Sequence, residues 1–439
     1  MMKIAIIGGG ASGMASAYLL DQQGHEVTVF ERQAALGGHI QTLNQNLWPN
    51  RSNCEQVLEN GVLEFPAVFH SFFSLMRMLD VELEPVNIGS ALFFKGGRHF
   101  LSAGIIRSNF TGIQRLLEYL RLDTLYARSA AFWAKMQLCD LQDFRDRPLS
   151  AYLSDENARN TWLKLLTMYS YSMAFERIDN FPAEIAMPVL RRYIFTDWFR
   201  IKGGVYSYIQ KILERFGGRI VLNADVRVIA RAQTNVTILL PEGPQQFDKV
   251  VFATPPDQVL KLLASPTAAE RQRFGRWQAN HIETTLHRDT SLYDPYGIKR
   301  PSEFDFFQTD TGWGYNAALN QLCGVTSPQR YSLAFNLSEL IDPNQAIHIQ
   351  THHTPLYTVE AVRYRNEIVA TNGENNTYHA GAYLGDGLHE GAIASAMKVA
   401  ALIADQSSST SPLASPATSH SRSPSADQIF AGAYDRPFF

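Results

Sequence analysis

The sequence is poor in cysteine, in net charge and in long apolar runs. Its 439 residues include only three cysteines, Cys54, Cys139 and Cys323. No two of them form the Cys-x-x-Cys pair that would indicate a zinc site or a redox dithiol. The 39 basic and 42 acidic residues leave a formal net charge of −3, which gives no electrostatic reason to expect nucleic acid as a partner. No uninterrupted run of about 20 apolar residues is present, so no transmembrane helix is expected.

These absences also bear on location. Isolated cysteines suit a reducing compartment, and a cytoplasmic protein is therefore predicted. The first twenty residues resemble a secretory leader in having a basic residue and an apolar run, but Gly8, Gly9 and Gly10 interrupt that run. A charged strand follows directly, so we interpret this segment as part of the fold.

The N-terminal thirty residues have the pattern of one β–α–β unit. Lys3–Ile7 is typical of a strand buried on both faces, and Met14 to Gln23 of a helix that Gly24 ends. His25 to Phe30 is predicted to be the second strand. The loop between strand and helix satisfies Gly-x-Gly-x-x-Gly, and it predicts a phosphate site formed by Gly8, Gly10, Ala11, Ser12 and Gly13.

Each part of this loop has a physical role. The first glycine permits a tight turn, the second lets the backbone approach a pyrophosphate, and the third lets the helix pack closely on the sheet. Glu31 follows Gly8 by 23 residues, near the roughly 20-residue spacing expected for a carboxylate that binds ribose hydroxyls. The same carboxylate would repel a 2′-phosphate and so disfavours NADP. A glycine-rich turn without a phosphate ligand is the alternative.

The rest of the chain divides into segments of different pattern. Residues 61–200 are dominated by helix-like patterns, and the stretch from Ile105 to Leu141 carries arginines among large apolar side chains. We interpret that stretch as an amphipathic layer with a solvated basic face, and membrane docking stays open if the substrate is a lipid. Strand patterns return between Arg219 and Ala253, with Gly243 and Pro244 predicted to form a turn. From Ser407 the composition is nearly all Ser, Pro, Thr and Ala, which predicts disorder.

Several motifs together resemble the flavin-containing amine oxidase and carotenoid desaturase superfamily. Leu36-Gly37-Gly38-His39 and Thr42 resemble its second glycine pair, which runs beside the FAD diphosphate. The other matching segments are Lys202–Gly204, Asp225–Val228, Val250–Pro256 and the turn from Gly381 to Ser395. The closest likeness is to predicted NAD/FAD-binding proteins that are often encoded beside cyclopropane-fatty-acid synthases.

The resemblance implies an α/β fold. Its Rossmann-like FAD-binding domain, of the glutathione-reductase type with two dinucleotide-binding regions, would comprise residues 1–60, 200–260 and 365–404. An inserted α+β substrate domain would comprise residues 61–199 and 261–364, and residues 405–439 would be a disordered tail. No cysteine lies between Gly381 and Gly391, so a thioether to the flavin is not expected there and the FAD is predicted to be non-covalent. The FAD contacts implied are Gly8, Gly10, Ala11, Ser12, Gly13, Glu31, Arg32, Gly37, Gly38, His39, Thr42, Val226, Gly385, Asp386, His389, Gly391 and Ala392.

His389 and Glu390 are the candidate catalytic residues. In one interpretation His389 tunes the flavin or relays a proton, because imidazole titrates near neutrality. In the other, which buried polar groups generally favour, the two residues hold the turn together by hydrogen bonds. His348, His352 and His353 lack a carboxylate cluster nearby in sequence, and no metal is predicted. Tyr315, Trp313 and Asn316 are candidate cavity residues, with core packing favoured for Trp313.

The expected activity is transfer of a hydride from an apolar substrate, such as a lipid or isoprenoid, to flavin N5. A redox-neutral double-bond isomerase is the alternative within enzymes. A non-catalytic flavin-binding or assembly protein that docks through its tail is the alternative outside them. The expected partners are a small apolar molecule and, if the substrate is a lipid, a membrane surface.

Overall fold

The computed structural model describes residues 1–47, 54–193 and 196–409. The strands are β1 (Lys3–Ile7), β2 (Glu26–Phe30), β3 (Phe65–Pro66), β4 (Leu83–Val86), β5 (Ser90–Phe93), β6 (His99–Phe100), β7 (Trp198–Ile201), β8 (Arg219–Val221), β9 (Val228–Arg231), β10 (Val236–Leu240), β11 (Gly243–Phe247), β12 (Lys249–Phe252), β13 (Ala279–His287), β14 (Phe304–Gln308), β15 (Trp313–Ala318), β16 (Ser332–Phe335), β17 (Ala346–Pro355) and β18 (Thr377–His379). The helices are α1 (Ala11–Gln22), α2 (His70–Met78), α3 (Ala103–Asn109), α4 (Gly112–Gln137), α5 (Ala158–Tyr171), α6 (Ala183–Tyr193), α7 (Ser207–Arg215), α8 (Val259–Leu262), α9 (Ala268–Phe274), α10 (Leu319–Leu322), α11 (Val359–Val362), α12 (Arg365–Ala370) and α13 (His389–Ser409).

The predicted β–α–β unit is the centre of a five-stranded parallel sheet. Its strand order is β18-β12-β1-β2-β8, with Ile4 opposite Lys249 on one side and Val27 on the other. The apolar side chains of β1 and β2 are buried, because α1 packs on both strands and the three-stranded sheet of β9 to β11 also contacts them, with the Phe30 ring edge-on to Phe247. Gly24 follows the last turn of α1 with a φ of 81°, which confirms its predicted helix-ending role.

A second, seven-stranded sheet forms the other half of the molecule. Its order is β17-β13-β16-β15-β14-β5-β6, and only the β14–β5 pair is parallel. Strands from two distant segments, 90–100 and 279–355, therefore build one sheet. Segment 61–200 was predicted to be dominated by helices, and helices α2 to α6 confirm that prediction. The short strands β3 to β7 lie between these helices and were not predicted. These strands are only two to four residues long, too short to show a period of two in the sequence.

Two smaller differences concern element ends. The predicted turn at Gly243 and Pro244 is wrong, because both residues begin β11 and the turn falls on Pro241 and Glu242. Pro244 is tolerated there because β11 is an edge strand of its three-stranded sheet. The last helix continues to Ser409, into the segment from residue 405 that was predicted to be disordered. The predicted disordered tail lies, from residue 410, outside the described residues.

Helix α4 differs most from its expected surface. Its inward side buries Leu122, Leu125, Ser129, Phe132, Trp133 and Met136. The predicted solvated basic face is instead strongly apolar over its first turns, where the exposed aliphatic residues are Ile113 (69%), Leu116 (54%), Leu117 (55%) and Leu120 (53%). Across the part of the chain that is described, no helix has both the length and the hydropathy to span a bilayer.

Candidate cofactor and substrate site

A cavity of about 710 Å³ lies between the parallel sheet and the seven-stranded sheet. One end is formed by the glycine loop and Glu31, at the carboxyl ends of β1 and β2. The other end is formed by aromatic and apolar side chains. Those side chains include Phe65, Phe69, Tyr169, Tyr171, Trp198, Ile282, Tyr315, Tyr357 and Tyr383. Ligands of open parallel sheets bind at this edge, so the position agrees with a dinucleotide ligand.

The glycine loop is held in the conformation that its motif predicts. Gly8 has a φ of 108°, and a Cβ there would lie 2.6 Å from the carbonyl oxygen of Ala253. A Cβ on Gly13 would lie 1.9 Å from the carbonyl oxygen of Gly8, so α1 packs directly on the loop. Gly10 precedes α1, and no side chain caps the first turn of this helix. The free N–H groups of Ala11 and its neighbours therefore suit a phosphate.

The second glycine pair lies against the first. Gly37 donates its N–H to the carbonyl oxygen of Gly9 at 2.9 Å, and it forms an isolated parallel bridge with Gly10. A Cβ on Gly38 would lie 3.1 Å from the Cα of Gly10. The two backbone segments thus form one cradle with no side chain between them. The cradle fits a diphosphate, which needs close backbone approach.

Glu31 is buried and fixed at the end of β2. Its Oε2 accepts the N–H of Gly9 at 2.6 Å, and its Oε1 accepts the N–H of Gln33 at 2.8 Å. Its own carbonyl oxygen accepts the N–H of Ala224, which places Val226 at the cavity wall. Val226 lies in the loop that precedes β9.

The C-terminal turn divides the predicted cofactor residues into two groups. His389 and Ala392 line the cavity, as Arg32 and His39 do at its other side. Gly385, Asp386 and Gly391 lie behind the wall. A Cβ on Gly385 would lie 2.5 Å from the Cα of Gly391, and Asp386 Oδ1 accepts the N–H groups of Leu388 and Gly391, both at 2.9 Å. Asp386 therefore caps α13 instead of facing a ligand.

Gly13 and Thr42 also lie behind the cavity wall. Gly13 packs on the loop as described above. Thr42 is fully buried, donates its hydroxyl to Glu59 and accepts the N–H of Tyr206. It joins the second glycine segment to α7, so its contribution to a cofactor site is structural support.

His389 and Glu390 have well-defined protein partners. His389 Nε2 lies 3.0 Å from the Tyr208 hydroxyl, and its ring packs edge-on against Phe65 and Phe72. Burial, and then the positive charge that His39 can carry, lower the pKa of His389 to about 3. The imidazole is therefore uncharged at neutral pH and a weak proton acceptor. Glu390 accepts the N–H groups of Ser71 and Phe72 at 2.9 and 3.0 Å, so it stabilises the start of α2.

The histidines of β17 also bind protein groups. His353 Nε2 lies 3.0 Å from Asp257 Oδ1, and its carbonyl oxygen contacts His39 Nε2 at 2.7 Å. His352 and His348 lie four residues apart on one face of β17. His352 contacts the Thr284 hydroxyl, and burial lowers its pKa to about 4. Within the described residues, no group of three or more His, Cys, Asp or Glu side chains is placed to hold a metal ion.

The substrate end contains residues that the sequence did not reveal. Glu64 lines the cavity, and its Oε1 accepts the Tyr169 hydroxyl at 2.7 Å. Burial raises the pKa of Glu64 to about 7. The buried hydroxyl of Tyr383 has no hydrogen-bond partner among the described residues. Of the three predicted candidates on β15, Tyr315 lines the cavity and Trp313 and Asn316 do not. No sequence motif marks Glu64, because it lies inside an ordinary apolar run, Val62–Phe65.

The family model for flavin containing amine oxidoreductases matches residues 11–285. The chain belongs to this family. One relative is the 4,4'-diapolycopen-4-al dehydrogenase of Metabacillus indicus, 25% identical over 280 residues, which are 57% of this chain and 53% of that protein. Another is the putative flavin-containing monoamine oxidase AofH of Mycobacterium tuberculosis (strain ATCC 25618 / H37Rv), 23% identical over 277 residues, 58% of this chain and 57% of that protein. The chain thus spans about half the length of the curated relatives it matches.

Two solved structures extend the likeness of fold over nearly the whole chain. The CLA-producing fatty acid isomerase from P. acnes has a TM-score of 0.67 at 14% identity and covers 92% of this chain and 98% of its own. Putrescine oxidase bound to putrescine has a TM-score of 0.63 at 15% identity, with coverages of 92% and 99%. The fold is therefore that of the FAD-dependent amine oxidases, with a Rossmann-like FAD-binding part and a substrate part.

The residues present fit FAD. The uncapped start of α1, the double-glycine cradle and the fixed Glu31 carboxylate provide for the diphosphate and the ribose hydroxyls. FAD is the cofactor that this flavin family and these residues indicate. The exact set of contact residues and the domain boundaries given above stay predictions.

Proposed function

We propose that this oxidoreductase takes a hydride from a C–H bond of an apolar substrate of the lipid or isoprenoid class. The observation that carries the proposal is the chemical character of the substrate end. Among the described residues, the charged side chains of the cavity are Glu31, Arg32, Asp225 and Glu64, and the first three lie at the nucleotide end. Glu64 is half-protonated at neutral pH, because its pKa is about 7. The substrate end therefore offers an ammonium group only one carboxyl, ionised in part, whereas its aromatic walls favour an apolar chain.

Bound FAD supplies a two-electron acceptor at its N5 atom. The chain's own residues orient and seal the site. Tyr171 donates its hydroxyl to the carbonyl oxygen of Asp386 at 2.7 Å, and Tyr357 contacts the carbonyl oxygen of Gly387. Both tyrosines thereby fix the turn before α13 while their rings exclude water from the cavity. The relative named for a diapolycopenal substrate and the structural neighbour named for a fatty acid support this substrate class.

The test is reduction of the bound flavin in the absence of oxygen. The FAD-loaded protein would be mixed with oleic acid, with a linear polyene such as phytoene, and with putrescine as the cationic control. We expect the visible flavin band to bleach with an apolar compound and to persist with putrescine. Bleaching by putrescine alone would contradict the proposal, and FAD that none of the compounds reduces would favour a non-catalytic flavin-binding protein.

A redox-neutral isomerase is the second candidate, and it is favoured by the structural neighbour named as a fatty acid isomerase. The same experiment separates the two activities. An isomerase gives a product in which the double bond has moved, and it leaves the flavin oxidised. An oxidoreductase gives one reduced flavin for each substrate molecule that is oxidised. Product analysis by mass spectrometry distinguishes equal mass from the loss of two hydrogens.

Peripheral contact with an anionic membrane forms the second part of the proposal. Ile113, Leu116, Leu117 and Leu120 form an exposed apolar row on α4, a helix of 26 residues and roughly 39 Å. Arg121, Arg128 and Lys135 are seven residues apart and so follow one line beside that row, with Asp123 on the opposite flank. Arg121 is paired with Glu118, whereas Arg128 and Lys135 are exposed. Each basic residue near an anionic bilayer contributes about 1 kcal/mol.

Vesicle sedimentation tests this surface. We expect the protein to sediment with vesicles of phosphatidylglycerol and phosphatidylcholine. The double variant Leu116→Ser, Leu117→Ser should bind about tenfold or more weakly, because each leucine that is fully buried in the membrane contributes about 1.5–3 kcal/mol. Leu239→Ser, at a leucine 41% exposed on β10, is the matched control. A dimer in solution that the double variant abolishes, without any vesicle binding, would assign the row to a second copy of the chain and contradict the membrane proposal.

A further inference from the structure

Glu64 occupies an unusual position in the cavity wall. One carboxyl oxygen, Oε1, accepts the Tyr169 hydroxyl. The other oxygen, Oε2, is buried and has no hydrogen-bond partner among the described residues. Tyr169 is itself fixed, because its ring stacks on Phe304 at 4.3 Å and meets Tyr315 edge-on at 4.8 Å. The carboxyl group is therefore held in one orientation with one oxygen unsatisfied beside the cavity.

Two other buried carboxyl groups, those of Glu59 and Asp305, have structural roles and provide a comparison for Glu64. Burial raises the pKa of Glu59 to about 8 and of Asp305 to about 7. Glu59 uses both oxygens, which accept the Thr42 hydroxyl and the Val205 N–H. Asp305 also uses both oxygens, on the N–H groups of Ala91 and Ser302 and the Tyr293 hydroxyl. Neither residue lines the cavity. Glu64 alone of the three combines burial, an unpaired oxygen and a position in the cavity wall.

An unpaired buried oxygen costs about 1–3 kcal/mol, a cost that Glu59 and Asp305 avoid, so a structural role alone does not explain Glu64. The titratable groups that face Glu64 are Tyr169 on α5, Tyr315 on β15 and Cys323 after α10. Burial raises the pKa of all three, so each is uncharged at neutral pH. Glu59 and Arg200 lie beyond Cys323. Glu64 can therefore change its protonation state near neutrality without a neighbour that titrates with it.

We infer that Glu64 is the acid–base residue of the substrate end, and this inference rests on the proposed hydride transfer. Its carboxylate takes the proton from the carbon next to the one that gives its hydride to the flavin. The electron pair of the broken C–H bond becomes the second bond of a new C=C double bond. The substrate thus loses two hydrogens and two electrons, the carboxylate becomes a carboxylic acid, and FAD is the two-electron oxidant of this half-reaction. Tyr169 is the positioning residue that fixes the carboxyl group.

Infrared titration of the FAD-loaded protein tests the contact without turnover. We expect the wild type to show a protonated-carboxyl band that titrates near pH 7 and that is missing in Glu64→Gln. When 1-octadecene fills the cavity and removes water, the midpoint of this titration should shift to higher pH. The carboxyl bands of Glu59 and Asp305 remain in the variant as internal controls. A Glu64 band that octadecene leaves unchanged overturns the inference, whether or not any substrate reduces the flavin.

The rate of flavin reduction by an accepted apolar substrate gives the second readout. We expect the wild-type rate to rise with pH to a plateau above about pH 7, because the ionised form takes the proton. Glu64→Gln should lower the rate about 10²–10⁴-fold and remove this dependence. Tyr169→Phe removes a hydrogen bond that lowers the pKa of Glu64, so its profile should shift to higher pH, which loss of folding would not produce.

The outcomes separate the two proposals. If no apolar compound bleaches the wild-type flavin but octadecene still shifts the Glu64 band, the proposed function fails while the cavity contact stands. If the wild type is bleached and Glu64→Gln reacts at the same rate with the same pH profile, the acid–base inference fails while the proposed function stands. FAD content and melting temperature of each variant identify any that has not folded.

Discussion

Gly13→Ala is expected to give a protein without FAD. The added methyl would lie 1.9 Å from the carbonyl oxygen of Gly8 and 3.2 Å from the Cβ of Ala253. Both contacts involve residues that directly follow β1 and β12, so α1 must move away from the loop that it covers. That movement separates the helix N-terminus from the phosphate position and opens the core at the same time.

Gly24→Ala is the matched control, because it adds the same methyl at the other end of α1. Nothing lies within 4 Å of a Cβ at Gly24, although its φ of 81° makes alanine strained by about 1–2 kcal/mol. We expect Gly24→Ala to bind one FAD per chain, and Gly13→Ala to be colourless or insoluble. The measurement is the visible spectrum after incubation with FAD. A Gly13→Ala protein with full FAD content and the melting temperature of Gly24→Ala would contradict the packing argument.

Glu270→Gln is expected to cost about 3–5 kcal/mol of the free energy of unfolding. Arg231, at the end of β9, donates two hydrogen bonds to the Glu270 carboxylate on α9, and the two side chains are 7% and 9% exposed. Removing the carboxylate charge leaves a buried guanidinium without its counterion. The melting temperature should fall by on the order of 10 °C, while FAD binding should persist because neither residue lines the cavity.

The pH dependence of this loss has a definite sign. Burial alone would raise the pKa of Glu270, but the hydrogen bonds and charge of Arg231 outweigh it and lower the pKa. The stabilisation is therefore present above the unfolded value of about 4.3 and is lost as the pH falls through the folded value. The difference between wild type and Glu270→Gln should shrink in acid. Arg231→Met with Glu270→Leu should recover most of the stability, since an apolar pair needs no counterion. A difference independent of pH would contradict the ion-pair explanation.

The nucleotide end could be predicted because its information is local. The strand, the three glycines, the helix and Glu31 occupy one continuous stretch, and their spacing specifies the geometry that the structure has. The same holds for the second glycine pair, which lies only a few residues further along the chain.

The substrate end could not be predicted because it depends on contacts between distant residues. Glu64 and Tyr169 form a hydrogen bond although they are 105 residues apart in the sequence, and His389 and Tyr208 do so although they are 181 residues apart. Neither pair has a spacing that a motif could reveal. Asp386 and Glu390 lie in a recognisable motif, but their hydrogen bonds to Gly391 and Ser71 show that they stabilise helix ends. A motif identifies a segment near the cofactor and does not identify which side chains face it.

The pairing of β1 with β12 has a consequence for synthesis. Ile4 is opposite Lys249, and Val250 is opposite Thr377, so the nucleotide loop leaves the ribosome long before its sheet can close. At about 5–20 residues per second, the delay until α13 emerges is on the order of tens of seconds. During that interval the apolar strand β1 and helix α1 lack most of their final cover. FAD cannot stabilise the nascent chain during that interval, because the cofactor's binding site is complete only near the end of translation.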